Sequence, residues 1–294
     1  MFTNVLVGVD GRTTGRDAIA LARKLTDTNG QLTLANVYEG PLGLAKMYQS
    51  TYRAKGERSR ALLQEELRQA AITAELASVS ADSPGHGLHR QAEHQGADLL
   101  VVGSCSRALV GRAMLGDDTR AALNGAPCAI AIAPAGYADH DTGITKIGVA
   151  FNEIPESLAA LAAARALAAE HHATVHALEV VSLPSIAYAG YGVVGVGEVI
   201  EEMVDGARRR LSELSDVEGR VVHGLPGEEL ARFGDEVDLL VVGSRGYGPL
   251  HRLIAGSTSN YLERHARCPL LVLPRSGSER DHAEDARLAT AASA

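Results

Sequence analysis

"VVGSRGYGPLHRLIAGST" occupies Val241 to Thr258, and "VVGSCSRALVGRAMLGDD" occupies Val101 to Asp118, so the chain states one phrase twice, 140 residues apart. The repetition extends outward from both. "NVLVGVDG" (Asn4 to Gly11) answers to "KIGVAFNE" (Lys146 to Glu153), "ADLLVVGS" (Ala97 to Ser104) to "VDLLVVGS" (Val237 to Ser244), and "APCAIAIAP" (Ala126 to Pro134) to "ARCPLLVLP" (Ala266 to Pro274). An offset that moves only between 142 and 140 residues marks two copies of one folding unit. The 294 residues suit two domains, each large enough to bury its own core.

Within each copy, short apolar runs alternate with stretches of helical period. Leu32 to Val37 and Thr174 to Val181 read as second strands, Ala74 to Val79 and Arg220 to His223 as third strands. Ala18, Leu21, Ala22 and Leu25 share one helix face, as do Ile154, Leu158 and Leu161. Near-continuous apolar strands separated by helices imply parallel pairing with right-handed crossovers. The expected fold is α/β: two tandem doubly wound domains, each a five-stranded, mainly parallel sheet flanked by helices. The boundaries expected are 1–137 and 144–275, joined by the small, polar "AGYADHDTG" (Ala135 to Gly143). Residues 276–294, charged and poor in large apolar side chains, read as a disordered tail. The loop after the second strand differs most between copies, with "GPLGLAKMYQSTYRAKGE" in one and "LPSIAYAGYGVVGVGEV" in the other. "GYGVVG" (Gly190 to Gly195) satisfies the dinucleotide glycine pattern but does not join a first strand to a first helix, so it reads as loop.

Composition narrows the function classes. A net charge of −8, aromatics at 4% and no Trp argue against a base-stacking nucleic-acid surface. Three cysteines, Cys105, Cys128 and Cys268, are too few and too scattered for a disulfide framework or a zinc site. "MFTNVLVGVDG" enters a strand-like run without a secretory pattern, and the apolar runs fall short of a membrane span. The expectation is a cytoplasmic protein that binds neither membrane nor nucleic acid.

In an open parallel sheet, ligands sit beyond the carboxyl ends of the strands, where the strand order reverses. "VVGSRG" leaves a buried strand at that end: Gly243 has no Cβ to block a ligand, and Gly246 tolerates positive φ. Nine residues later Gly256, Ser257 and Thr258 open "STSNYLERHA", which reads as a helix. Its first amides, its positive dipole end and the Ser257 and Thr258 hydroxyls would face whatever lies in the loop. Arg245, Arg252, Arg264 and Arg267 stand against Glu263 alone in this segment. That G-x2-G-x9-G-S spacing, between a strand and a helix, is suited to a polyphosphate.

On these residues both halves resemble universal stress protein domains, and the likeness covers nearly everything up to Pro274. The resemblance implies the universal stress protein fold, which is like that of the adenine nucleotide alpha hydrolases, and implies ATP, with or without Mg2+, as ligand. It also implies that Gly243, Arg245, Gly246, Gly256, Ser257 and Thr258 hold phosphate and ribose. Adenine would lie near Ala150 to Asn152 and Glu179 to Val181, with Ala150, Asn152 and Val180 as contacts. The first half keeps Asp10, Gly103 and Gly116 but has Ser106 for the second glycine and Asp117 for the hydroxyl, followed by Asp118. A carboxylate about 4 Å from a phosphate costs about 1 kcal/mol in water and about 4 kcal/mol at a surface-like dielectric. Nucleotide is therefore expected in the second half, with Asp117 and Asp118 serving as helix caps. Asn152 stands where the first half has Asp10, keeping the hydrogen-bonding shape and losing the charge.

The functional expectation is an ATP-binding regulator of stress or growth adaptation that acts through an unidentified protein partner. A weak ATPase or an adenylyl- or phosphoryl-transfer enzyme is one alternative, and a ligand-free or thiol-sensing scaffold is another. Enzymatic activity is the less favoured, because no G-x4-G-K-[ST] loop and no base constellation accompanies the cradle; His251 is the nearest candidate base. Cys105, close in sequence to Arg107 and Arg112, is the candidate sensing thiol, whereas Cys128 and Cys268 read as packing residues. Finally, "CAIAIAP" and "CPLLVLP" carry no charge, and an apolar edge strand calls for a partner. The two halves are expected to pair through these runs as an intramolecular pseudo-dimer, with a homodimer through other faces left open.

Overall fold

The computed structural model describes residues 1–40, 49–104, 126–140, 143–182, 196–244 and 257–274. In the first half β1 (Phe2–Gly8), α1 (Thr13–Leu25), β2 (Thr26–Glu39), α2 (Gln49–Ala70), β3 (Glu75–Ala81), α3 (Pro84–Gln95), β4 (Leu99–Gly103) and β5 (Ala129–Ala133) follow in order. In the second come β6 (Lys146–Ala150), α4 (Pro155–His171), β7 (Thr174–Val181), α5 (Val196–Ser212), β8 (Glu218–His223), α6 (Pro226–Phe233), β9 (Leu239–Gly243), α7 (Ser257–His265) and β10 (Leu270–Leu273).

All ten strands form one sheet in the order β3-β2-β1-β4-β5-β10-β9-β6-β7-β8. Each half supplies five strands paired in parallel. The seam between halves is antiparallel: Leu270 faces Ile132, Leu271 faces Ala131 and Val272 faces Ile130. The expected pairing of the two final strands is thus present within one chain. Because β5 and β10 each cover the other's edge, the uncharged runs "AIAIA" and "LLVL" are buried throughout. The outer strand β8 is mostly exposed and carries Glu218, Arg220 and His223, charges that discourage a further strand from adding there.

Two apolar layers cover the faces, and both run across the seam. One contains α1 and α4 through Leu21, Leu25, Leu161 and Leu167. The other contains Leu88 of α3, Leu230 and Phe233 of α6 and Leu262 of α7. His171 of α4 also reaches the carbonyl of Lys24 in α1 at 2.8 Å.

The strand ends are tied by a device used twice. Asp98 accepts from Thr3 N and Oγ1 at 2.7 and 2.8 Å and from Asn4 N at 3.0 Å. Asp238 repeats the clamp on Thr145 N, Thr145 Oγ1 and Lys146 N at 2.7, 2.8 and 2.9 Å. The linker is held too. Asp17, buried in α1, accepts from Gly136 N and Ala138 N at 2.9 and 2.8 Å, and its burial raises its pKa despite those bonds.

Three sequence readings need correction. The segment after the second strand is not all loop, since α2 begins at Gln49 and α5 at Val196; residues 41–48 and 183–195, with the glycine pattern Gly190 to Gly195, lie outside the described residues. β2 starts at Thr26, directly from the end of α1, rather than at Leu32. In α4 the face that packs is Ser157, Ala160, Leu161, Ala164, Leu167 and Ala168, while Ile154 and Leu158 are exposed. The buried stripe combines small residues with Leu161 and Leu167, and Ile154 and Leu158 fall outside it.

Candidate functional site

Connections from β6 run to β7 through α4 on one face, whereas β9, its other neighbour, is followed by α7 on the opposite face. The strand order therefore reverses between β6 and β9, which is where a doubly wound sheet opens a crevice. A cleft of about 610 Å³ lies there, within the size range of small-molecule sites. Among the described residues its wall includes Ala150 at the end of β6 with Phe151 and Asn152 after it, Glu179 to Ser182 at the end of β7, and Gly243 at the end of β9. Thr258 and Leu262 of α7 close one side, and Met203, Gly206, Arg209 and Arg210 of α5 close another.

The expected contacts Ala150, Asn152, Val180, Gly243 and Thr258 are all brought to this one cleft. Ser257 is the first residue of α7, so the helix starts where the spacing placed it. Arg245, Gly246 and Gly256 lie outside the described residues, as do Gly116, Ser106, Asp117, Asp118, Cys105, His251 and the 276–294 tail. α7 is held in place by Leu262 and Ala266, both fully buried.

Gly243 has a structural task beside any ligand. A Cβ there would come within 2.6 Å of the carbonyl oxygen of Glu156, in the first turn of α4. Gly103 is tighter still, its Cβ position 2.0 Å from the Thr14 carbonyl oxygen in α1. Both glycines let the first helix of their half pass directly over the end of the fourth strand.

The β1–α1 and β6–α4 turns differ in chemistry. Asp10 receives Arg12 N at 3.0 Å and the Thr14 hydroxyl at 3.3 Å, so its carboxylate serves the start of its own helix. Asn152 is exposed at the cleft, and its backbone N–H donates to Ser157 Oγ at 3.4 Å. The next residue takes a left-handed backbone in both halves: Gly11 at φ 74 and Glu153 at φ 62. Glycine adopts that conformation freely; glutamate does so at a cost of about 1 kcal/mol or more.

Glu153 belongs to a charged cluster that the sequence reading missed. Arg210 projects between two carboxylates, bonding Glu179 Oε1 directly and approaching Glu153 Oε2 at 3.5 Å through Nε. The bond to Glu179, reinforced by the charges of Glu179 and Glu153, raises the Arg210 pKa against the opposing effect of burial. Glu179 itself is only 5% exposed. The available signal was Glu179 inside "TVHALEVV", an acidic residue in the middle of a buried strand run.

Burial pushes the thiols of Cys128 and Cys268 up to about 12, in keeping with packing residues. Among the described residues no group of three or more His, Cys, Asp or Glu side chains is disposed to hold a metal ion. No helix among them is long and apolar enough to cross a membrane.

Fold and cleft together define a tandem doubly wound α/β protein with a small-molecule-sized crevice at the switch point of its second half. The model of the universal stress protein family matches residues 1–134 and again 143–274, and the chain belongs to that family. Among curated relatives, universal stress protein Rv2005c of Mycobacterium tuberculosis is 28% identical over 188 residues, which cover 61% of this chain and 63% of that protein. The match thus spans under two thirds of the mycobacterial protein's own length. Two solved structures share the whole architecture. A universal stress protein from Archaeoglobus fulgidus superposes with a TM-score of 0.63 at 17% identity, covering 93% of this chain and 98% of its own. One from Pseudomonas aeruginosa UCBPP-PA14 also gives 0.63 at 17%, covering 98% of each.

Proposed function

We propose that the cleft of the second half binds an adenine nucleotide, ATP in the first instance, and that the chain is a nucleotide-responsive regulator rather than an enzyme. The observation that carries this reading is the convergence of Ala150, Asn152, Val180, Gly243 and Thr258 on one cleft of about 610 Å³ beside the start of α7. Its parts suit the parts of a nucleotide. Val180, Met203 and Leu178 offer apolar surface to a base, Asn152 offers a neutral donor and acceptor to a ribose, and the α7 end attracts phosphate. Arg245, Gly246, Gly256 and Ser257 would complete the phosphate cradle. The domain limits 1–137 and 144–275 enclose one such unit each, and the first, with Ser106 and Asp117 in its motif, is proposed to be silent.

Calorimetric titration of the full chain with ATP tests this, with cAMP included because one solved universal stress protein is a complex with it. The expected result is one ATP per chain, with Gly256→Asp abolishing most of the affinity while the fold is retained. Two equivalent sites, or no heat and no thermal shift with either nucleotide, would refute it.

A further inference from the structure

Glu179 presents a chemical requirement that the protein does not itself meet. Its Oε1 is taken by Arg210, but its Oε2 has no hydrogen-bond partner among the described residues, although the side chain is nine-tenths buried and lines the cleft. A buried carboxylate oxygen left unpaired is costly, and such groups persist where something else supplies the donor.

The first half shows that the position can be filled differently. Pairing registers set Ala35 beside Gly8 and Leu178 beside Ala150, so Asn36 is the counterpart of Glu179. Asn36 Nδ2 donates to the Val9 carbonyl at 2.7 Å, closing the gap between its own strands. A carboxylate cannot donate that bond. Gly11 is likewise replaced by Glu153, and the second half sets Arg210 against both carboxylates. Two sites have thus changed together, from Gly11 and Asn36 to Glu153 and Glu179. Arg210 takes one oxygen of Glu179 and leaves the other without a partner, in a side chain that lines the cleft.

We infer that Glu179 is a specificity-determining residue whose free oxygen accepts a hydrogen bond from the exocyclic amine of a nucleobase, selecting an amino-bearing purine over its oxo analogue. This rests on the nucleotide reading of the cleft and deepens it. An amine supplies the missing donor. A carbonyl at the same place would set an oxygen acceptor against a carboxylate, leaving both without a partner, and sites built around a buried polar group reject such analogues strongly.

The test compares ATP, purine riboside triphosphate, ITP and dATP on the full chain by calorimetry. ATP is expected to bind about tenfold to a hundredfold more tightly than ITP, the range for one hydrogen bond to a charged group. Purine riboside triphosphate, which lacks the amine without adding an oxygen, should fall between them. In the double variant Glu179→Leu, Arg210→Leu, which removes both charges together, the ATP to ITP ratio should collapse towards one. Equal affinity of wild type for ATP and ITP overturns the inference while leaving nucleotide binding intact. So does a ratio that survives in the folded double variant, or a loss confined to dATP, which would assign the oxygen to a ribose hydroxyl. Binding of none of the four defeats the nucleotide reading as well.

Discussion

Replacing Gly243 by alanine separates the demands of the fold from those of a ligand. The new Cβ would stand 2.6 Å from the Glu156 carbonyl oxygen, 2.7 Å from its carbon and 2.8 Å from its Cβ. Relief to ordinary contact needs a shift of about 0.8 Å, and two of the three atoms are backbone, so no side chain can simply swing away. Overpacking of this kind costs about 1–3 kcal/mol. Restricting the unfolded chain by the same substitution returns about 0.4–1 kcal/mol. The net expectation for Gly243→Ala is a loss of about 1–2 kcal/mol. Gly103→Ala, which meets the Thr14 carbonyl oxygen at 2.0 Å, should lose more, near or above 3 kcal/mol. Urea denaturation followed by circular dichroism, beside ATP titration of each folded variant, gives both quantities. The reasoning fails if Gly243→Ala keeps its midpoint yet loses ATP affinity tenfold, or if Gly103→Ala is the milder of the two.

Asp238→Ala removes an acceptor from three donors and should cost about 2 kcal/mol at neutral pH, measured by urea midpoints. Burial opposes the charge of Asp238, but the bonds from Thr145 and Lys146 outweigh it and hold its pKa below the ordinary value of 3.8. The stabilisation is therefore full above that value and is lost as pH falls through the folded one, so the gap between variant and wild type should close in acid and stay constant from pH 5 to 7. The second half alone, residues 143–274, would expose the apolar edge of β10 and should self-associate in sedimentation at tens of micromolar; a monomer with slowly exchanging β10 amides would contradict the sealing role of the seam.

The fold was legible because its signals are local and doubled. β7 occupies Thr174–Val181 as its apolar run required, and the start of α7 at Ser257 follows from the motif spacing. The pairing of β5 with β10 could be reasoned from the lack of any charge in either run. What escaped depends on neighbours distant in sequence. The polar "TDTNGQ" at the start of β2 carries no strand pattern, and part of it is extended because the backbone pairs with β1, Phe2 facing Thr26 and Asn4 facing Gln31 across a register shift. Leu158 looked like a core residue by periodicity, but the buried stripe of α4 centres on Ala160, Ala164, Leu167 and Ala168, and Leu158 lies about a third of a turn away from it. The Arg210 cluster joins residues from β7, α5 and the turn after β6, which no local pattern connects.

The antiparallel seam has a consequence for how such a molecule can change. Because β5 and β10 run in opposite directions in one sheet, the carboxyl ends of the two halves' parallel strands point to opposite sides of the molecule. Two identical chains joined by the same strand would be bound to symmetry: every substitution in one crevice would be made in the other. Joined end to end by a linker that Asp17 fastens down, the halves are released from that rule while the seam stays whole. Gly11 and Asn36 on one side and Glu153 and Glu179, both paired with Arg210, on the other show what the release permits. One crevice can be retuned, or given up, and the other half still holds the sheet together.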